Sequence, residues 1–331
     1  MIHSLFRSQM MHSHHALALF IFQGGASTIA PQADYVFYFL LAFSFFFIVL
    51  IFGLILYFMV KYRRRSEDEL AEEVKVSLPL EIAWTVIPLG LCAIIFLWSG
   101  TIFFREARPP ARATEIFVIG KQWMWQLQHV NGAREINELH VPLNVPVKLT
   151  MTSQDVIHDF FIPAFRIKED VLPGRYTSLW FQATKLGTFS FRCAQFCGTA
   201  HSMMVGTVVV MKPDDYARWL SANAPAQSMS ATGQKLFSQL GCGTCHANET
   251  SGKYPSLAGL YGHPVSLRNG STATADESFL RSVIVNPSGM QIAGYAPSMP
   301  SFQGQINESE LLDLIAYIKT LAPEEKETAS R

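Results

Sequence analysis

A twelve-residue stretch from Cys193 to Met204 concentrates soft metal ligands. It reads C-A-Q-F-C-G-T-A-H-S-M-M, with two thiols, one imidazole and two thioethers. Such groups suit copper, zinc or an iron-sulfur centre far better than calcium or magnesium. Cys197, His201 and Met204 follow the order in which a blue-copper site takes its ligands from one loop. Cys193 adds a second thiolate, which a two-metal centre needs because each sulfur can bridge both ions.

A blue-copper arrangement also takes a second histidine from earlier in the chain. Two candidates are present, His140 in E-L-H-V-P and His158 in D-V-I-H-D-F-F-I-P. His140 falls in an alternating, strand-like run, which favours an ordinary strand histidine. The competing interpretation of the whole loop is a disulfide between Cys193 and Cys197, but disulfide spacing predicts no His and Met at these offsets.

A second motif, G-C-G-T-C-H, ends at His246. The C-x-x-C-H signature attaches a c-type haem, with Cys242 and Cys245 bonded to the vinyl groups and His246 bound to the iron. The alternative is a thioredoxin-like redox pair, which requires a preceding strand and a βαβ unit that the sequence does not show. The motif therefore predicts a covalent haem c.

Composition limits the function classes. The 331 residues carry 26 basic and 26 acidic side chains, so the zero net charge gives no indication of nucleic-acid binding. Four of the five cysteines fall in the two motifs, which leaves no disulfide framework. Cys92 lies in an apolar run and is interpreted as an inert core or lipid-facing thiol.

Two apolar runs predict a transmembrane hairpin in residues 34–105. The first spans Tyr35 to Val60 and the second about Leu80 to Phe104, each long enough to cross the hydrocarbon core. Basic residues at 61 and 63–65 place the connecting end in the cytoplasm by the positive-inside rule. Everything after residue 105 is then expected in the periplasm.

The N-terminal segment, residues 1–33, contains a short apolar run typical of a secretory signal, with Ala26 or Ala30 near a cleavage point. Three of its four histidines could bind a metal but are interpreted as part of a solvated tail. They are His12, His14 and His15.

The remaining chain divides into three folded or flexible parts. Alternating apolar residues and Gly/Pro turns between residues 113 and 212 predict a β-sandwich or Greek-key barrel of cupredoxin type, assigned to 106–220. Small polar residues at 221–232 predict a linker. Residues 233–323 predict an α-helical domain that starts with a helix at Gly233 to Leu240 and ends with one at Glu308 to Leu321, and 324–331 a solvated tail.

The metal loop resembles the copper A motif of cytochrome c oxidase subunit II, C-x-E-x-C-G-x-x-H-x-x-M, and departs from it only at Gln195. The resemblance implies bridging by Cys193 and Cys197, and binding of one copper by His201 and of the other by Met204. It also implies a ligand role for the backbone carbonyl of Gln195, and it selects His158 as the upstream histidine. The family's Glu side chain helps to hold a magnesium ion against subunit I, so Gln195 leaves magnesium an open question.

The C-terminal domain resembles a class I cytochrome c. In that family a Met-Pro loop supplies the sixth iron ligand, which favours Met299 in Y-A-P-S-M-P over Met290 and His263. Pro255 and the Leu257 to Gly259 stretch resemble the loop that packs beside the proximal histidine.

Taken together, the resemblance implies a bacterial cytochrome c oxidase subunit II with a fused cytochrome c domain. Electrons from an external donor, such as a soluble cytochrome c or an upstream respiratory complex, would pass through haem c to copper A and on to haem in subunit I. Tethering would make the first transfer intramolecular. Trp123 resembles the residue where electrons reach copper, and Glu81 resembles a glutamate at the mouth of a proton pathway into subunit I.

The implied location is the bacterial inner membrane, with subunits I and III as partners and with oxygen reduction and proton pumping in subunit I. The alternative from another class is a membrane-anchored copper and haem carrier or redox sensor that works without an oxidase.

Overall fold

Two long helices form the membrane part of the chain. The computed structural model describes residues 24–66, 77–246 and 254–321. Helix α1 spans Ala30–Lys61 and helix α2 spans Leu78–Glu106, and both are long and apolar enough to cross a membrane. Each extends beyond its predicted apolar run, because a proline in the first turn starts the helix before the run begins. The predicted C-terminal tail, residues 324–331, lies outside the described residues.

The segment before α1 is hydrogen-bonded to the β-sandwich and packs against it. Ala26 donates its backbone N–H to Ala164 O at 2.8 Å and accepts from Thr184 N at 2.8 Å, and its side chain is fully buried. Ser27 Oγ donates to Phe165 O at 2.8 Å. The two candidate cleavage points, Ala26 and Ala30, are therefore packed positions, and a cut after Ala30 would remove these bonds. The signal-like run and the three histidines lie outside the described residues.

The sandwich consists of two five-stranded sheets, ordered β3-β2-β1-β5-β8 and β4-β10-β9-β6-β7. Its strands are β1 Thr114–Lys121, β2 Met124–His129, β3 Arg134–Ile136, β4 Glu138–Pro142, β5 Pro146–Ser153, β6 His158–Ile162, β7 Ile167–Val171, β8 Thr177–Gln182, β9 Gly187–Cys193 and β10 Val205–Met211. Most neighbours are antiparallel, but β1 runs parallel to β5 and β4 runs parallel to β10. This agrees with the predicted cupredoxin-type architecture.

The sandwich core lies between the sheets and is rich in aromatic residues. Trp125, Phe160 and Phe191 are fully buried and meet edge-on or tilted, with Trp125 and Phe160 ring centres 4.9 Å apart. Strand β10 is buried on one face only. Its sequence V-G-T-V-V-V-M is largely apolar, but only Val208 and Val210 are buried, because its other face is turned toward solvent.

A helix that the sequence analysis did not anticipate follows the sandwich. Helix α3, Pro213–Ala222, buries Tyr216 against His129, whose Nδ1 lies 3.0 Å from the tyrosine hydroxyl. Trp219 of the same helix stacks on His140 with ring centres 4.3 Å apart. The predicted linker, 221–232, is therefore too long, and only residues 223–228 lie between helices. The next helix starts early because Ser228 caps it by accepting from Ala231 N at 3.2 Å.

The C-terminal helical unit, residues 229–321, consists of short helices around one cavity. They are α4 Met229–Gln239, α5 Gly243–His246, α6 Glu277–Val285 and α7 Glu308–Thr320, with a small hairpin of β11 Pro264–Ser266 and β12 Thr272–Thr274. Helices α4 and α7 cross closely at Gly233, where a β-carbon would lie 1.9 Å from Asp313 O. Only glycine permits that approach. Helix α7 begins with a capping box formed by Asn307 and Glu310.

Candidate copper centre and haem cavity

The candidate metal ligands meet at one pole of the sandwich. His158 is the first residue of β6, Cys193 is the last residue of β9, and the loop between β9 and β10 carries the others. Strands β6 and β9 are hydrogen-bonded neighbours, with Phe160 opposite Cys193. Because both strands present these ends at the same edge, residues 35 apart in the chain come together.

Short distances join the candidate side chains into one cluster. Cys193 Sγ lies 3.9 Å from Cys197 Sγ and 3.9 Å from His158 Nδ1. Cys197 Sγ lies 3.4 Å from His201 Nδ1 and 3.8 Å from Met204 Sδ. Every predicted side-chain ligand of the loop therefore contacts one of the two thiols.

The two sulfurs fit shared metal ligation and not a disulfide. Their separation of 3.9 Å is far from the S–S bond length of about 2.05 Å. It is also less than twice a metal–sulfur bond of about 2.3 Å, so both sulfurs can contact the same ion. Cys193, Cys197 and Met204 are almost fully buried, which suits a water-poor site. The donor set of thiolate, imidazole and thioether favours copper among the common biological metals.

His158 is held with its Nδ1 toward the sulfurs. Its other ring nitrogen, Nε2, lies 2.8 Å from Asp155 Oδ1, so that N–H donates to the carboxylate and Nδ1 is left for a metal. The imidazole rests on Gly120, where a β-carbon would approach Cδ2 to 2.9 Å. Burial alone would raise the pKa of the Asp155 carboxyl, but hydrogen bonds from Gln122 N and His158 hold it below its ordinary value.

The two thiols differ in acidity. Burial favours the neutral form of Cys193, but its contacts with His158 and nearby backbone groups outweigh this and lower its pKa. Burial together with the charge of Cys193 raises the pKa of the Cys197 thiol to about 12. The thiolate is the form that binds metal, so a cation at this site favours loss of both protons.

The Gln122–Trp123 turn is tied to the same site. The Gln122 side-chain amide donates to Cys197 O at 2.8 Å, and the Trp123 indole N–H donates to that carbonyl at 3.3 Å. Gln122 N also donates to Asp155 Oδ2 at 2.7 Å. Sequence reasoning selected Trp123 but missed Gln122 and Asp155, although Asp155 lies in the quoted D-V-I-H segment.

Of the remaining loop residues, one lies beside the thiols and two are exposed on the surface. Gln195 O lies 3.1 Å from Cys193 Sγ, close enough for the predicted carbonyl role. Phe196 and Met203 are exposed, 75% and 72% respectively, so Met203 stands apart from the cluster. His140 is not part of the cluster and groups instead with Glu135 and Glu138, its Nδ1 lying 2.5 Å from Glu135 Oε2.

The second site is a cavity of 340 Å³ in the helical unit. Its wall includes Cys242, Cys245 and His246 together with both methionine candidates, Met290 and Met299. Among the residues that the structure describes, those that line the cavity include no Asp, Glu, Lys or Arg, and most are apolar. Such a lining suits a large apolar prosthetic group with both cysteines at its edge.

His246 is oriented as an iron ligand would be. Its Nδ1 lies 2.9 Å from Pro255 O, so the N–H donates to that carbonyl and Nε2 is left for a metal. Pro255 and Leu257 line the cavity as the resemblance implied, whereas His263 does not. Met299 and Met290 both line it, so the structure supports either as the sixth ligand.

Glu81 lies far along the chain from both sites, in the first turn of α2, just inside the end that carries the basic residues of the hairpin. Cys92 is on the exposed surface of the same helix, as expected of a lipid-facing thiol.

Three family models match the chain. They are described as cytochrome c oxidase subunit II, transmembrane domain, over residues 14–102; cytochrome c oxidase subunit II, periplasmic domain, over 132–212; and cytochrome c, over 230–322. The second match contains His158 and the metal loop, and the third contains the C-x-x-C-H motif. The matches follow the predicted order of hairpin, sandwich and cytochrome unit.

Individual relatives agree with these matches. The cytochrome c oxidase subunit 2 of Alkalihalophilus pseudofirmus is 28% identical over 286 residues, which are 82% of this chain and 82% of that protein. An alternative cytochrome c oxidase subunit 2 of Bradyrhizobium diazoefficiens is 31% identical over 41% of this chain and 61% of that protein. The crystal structure of the periplasmic domain of subunit II of cytochrome oxidase from Bradyrhizobium japonicum is 30% identical, covers 35% of this chain and 96% of that chain, and has a TM-score of 0.34.

Proposed function

This chain belongs to the cytochrome c oxidase subunit II family, and on that premise we propose that it is the subunit through which electrons enter the oxidase. Members of this family are oxidase subunits, and the family supports a role of this chain in electron transfer. We propose further that haem c is bonded to Cys242 and Cys245 and that a dinuclear copper A centre receives its electrons. The observation that carries this proposal is the convergence of two thiols, two imidazoles and a thioether at one pole of the sandwich.

The chain's own residues would perform distinct tasks at the copper centre. Cys193 and Cys197 would supply the two shared sulfurs, His158 and His201 would bind through Nδ1, and Met204 and Gln195 O would complete the ligand set. Bound copper supplies an electron acceptor whose charge is shared between two ions. The protein holds these ligands in place through the Asp155 contact to His158 and excludes water by burying both sulfurs.

At the second site, the cavity wall would hold the prosthetic group, and His246 is kept in position by its hydrogen bond to Pro255 O. Met299 is the proposed sixth ligand. Bound haem supplies the one-electron carrier, and a thioether ligand favours a high reduction potential. Trp123, bonded to Cys197 O, is the proposed point where electrons reach the copper ligands.

Glu81, at the basic end of the hairpin, is proposed to face a proton pathway in subunit I. We place the sandwich and the helical unit in the periplasm of a bacterial inner membrane. Subunits I and III are the proposed partners, with an external donor such as a soluble cytochrome c.

Metal and haem analysis of the purified chain tests the proposal. We expect two coppers and one covalent haem per chain, with electron spin resonance showing one electron shared equally by two coppers. Cys193→Ser should abolish the shared signal and leave the haem intact. Cys92→Ser, which removes an exposed thiol of α2, should change neither cofactor. A copper-free chain with Cys193 and Cys197 joined to each other would overturn the proposal.

Purification in mild detergent tests the oxidase assignment separately. A large complex that consumes oxygen supports it, whereas an isolated chain with both cofactors supports a carrier or sensor. Gln195 offers an amide in place of a carboxylate, so magnesium analysis of the complex tests whether an interfacial ion is retained.

A further inference from the structure

The helical unit covers the outer face of one sheet of the sandwich. Strand β1 is buried on both faces from Ile116 to Ile119, although an outer strand face normally meets water. Phe117 and Ile119 point away from the sandwich core and, with Tyr176, pack into the apolar cluster of the helical unit. Their exposed fractions are 3%, 1% and 7%. We call this covered surface the docking face.

A network of charges crosses the docking face at Lys319. Its Nζ lies 3.0 Å from Glu115 Oε2 on β1 and 2.7 Å from Glu277 Oε1 on α6. Glu115 Oε1 also accepts from Lys148 Nζ and Thr150 Oγ1, each at 2.9 Å. Lys319 is therefore the one side chain of this network that joins a carboxylate of the sandwich to a carboxylate of the helical unit.

Further bonds fix the remaining edges of the docking face. Arg281 of α6 donates to Gly174 O at 2.7 Å and pairs with Glu308. Asp313 of α7 accepts from Gln128 Nε2 at 3.1 Å and lies 3.5 Å from Arg134. Three of these charged residues, Glu277, Arg281 and Asp313, are more than nine-tenths buried. Buried charges need their partners, so they specify one orientation of the two units.

We propose that the helical unit is clamped on the sandwich in a single orientation, with Lys319 as the positioning residue that joins the two units across the docking face. A helical unit that was joined to the sandwich only through residues 223–228 would contact it transiently. A clamped unit instead keeps its cavity in a constant position relative to the metal loop. None of the charged residues of the clamp is among the described residues that line the cavity. Its consequence for electron transfer rests on the proposed function.

Hydroxyl-radical footprinting of the full chain in detergent, read by mass spectrometry, tests the clamp. Native Phe117 and Tyr176 should be protected as strongly as Trp125 in the sandwich core. Lys319→Met should increase oxidation of Phe117 and Tyr176 by about tenfold and leave Trp125 protected. The Glu115 and Glu277 carboxylates then lose the ammonium group that joins them, which weakens docking without unfolding the sandwich.

Lys235→Met is the matched control, since Lys235 is exposed on α4 of the same unit, and it should leave the footprint unchanged. Glu115→Gln is the second variant and should act in the same direction if Lys319→Met does not fold. Rapid oxidation of native Phe117 and Tyr176 would overturn the proposal, as would an unchanged footprint in both Lys319→Met and Glu115→Gln.

A kinetic measurement links the clamp to function. In the cofactor-loaded oxidase, the rate of electron transfer between haem c and copper should be independent of solvent viscosity, and Lys319→Met should make it viscosity-dependent. A viscosity-dependent native rate would refute a constant orientation. Footprinting reads the solvent exposure of Phe117 and Tyr176, whereas metal and haem analysis reads the cofactors, so a failed clamp and a failed copper or haem assignment give different results.

Discussion

Asp313 predicts a defined pH dependence of stability. Its side chain is 4% exposed on α7, where it faces Gln128 and Arg134 of the sandwich and Glu310 of its own helix. Burial, with a smaller contribution from Glu310, raises its pKa from 3.8 to about 6 despite the opposing effects of Arg134 and Gln128. Asp313→Asn removes the ionisation and keeps an acceptor oxygen for Gln128.

The sign and size follow from proton linkage. The pKa of Asp313 is higher in the folded chain than in the unfolded chain, so folding favours the protonated carboxyl. The contribution of Asp313 to stability is therefore greatest below pH 3.8 and falls as the pH rises to about 6. The difference between a pKa of about 6 in the folded chain and the ordinary value of 3.8 corresponds to at most about 3 kcal/mol of folding free energy. Arg134 is 51% exposed, so solvent screens part of the electrostatic balance, and we expect a change of about 1–2 kcal/mol.

Urea unfolding of the full chain in detergent between pH 4 and 8 measures the contribution of Asp313 to the free energy of unfolding. The native chain should lose about 1–2 kcal/mol relative to Asp313→Asn as the pH rises through 4 to 6, and the difference should be constant above that range. Glu277, whose pKa is lowered to about 2, contributes equally to both chains. Asp214→Asn, at an exposed position of α3, should run parallel to the native chain. A constant separation between native and Asp313→Asn curves at every pH would refute a raised pKa.

Three further substitutions test the sites and the helical unit. Met299→Leu should lower the haem potential and leave the copper spectrum unchanged, and an unaltered haem would move the axial assignment to Met290. Asp155→Asn should weaken copper binding about 10- to 100-fold by releasing the orientation of His158, measured by competition with a chelator; unchanged affinity would contradict that role. Gly233→Ala should destabilise the helical unit by about 3 kcal/mol or more, since its β-carbon would meet a backbone carbonyl of α7, and native-like urea unfolding would count against the close crossing.

The parts of the fold with strong local signals were predictable from the sequence. The two apolar runs gave the membrane helices to within a few residues, and Glu308 to Leu321 gave α7 almost to the residue. Both follow from length and periodicity, which depend only on neighbours in the chain. The proximity of Cys193, Cys197, His201 and Met204 was predictable for a similar reason, because these four residues lie within twelve positions of the sequence.

Contacts between distant segments were not predictable in this way. Small polar composition predicted a linker at 221–232, but composition does not reveal that Ser228 caps a helix or that Tyr216 and Trp219 pack on histidines of the sandwich. The choice between Met299 and Met290 also stays open, because both line one cavity wall. The continuous apolar run I-F-V-I at 116–119 was a usable signal for a strand covered on both faces.

Strand β1 contributes to both the docking face and the position of the His158 imidazole. Ile119 faces the helical unit, and the next residue, Gly120, faces the sandwich interior and supports the His158 imidazole. Because side chains alternate along a strand, a one-residue slip of β1 would exchange these faces and place a side chain against His158. The parallel pairing with β5 holds the register from Thr114 to Gly120, including Glu115 opposite Lys148 in the charged network. The same register therefore positions His158, the proposed copper ligand, on one face of β1 and the helical unit on the other.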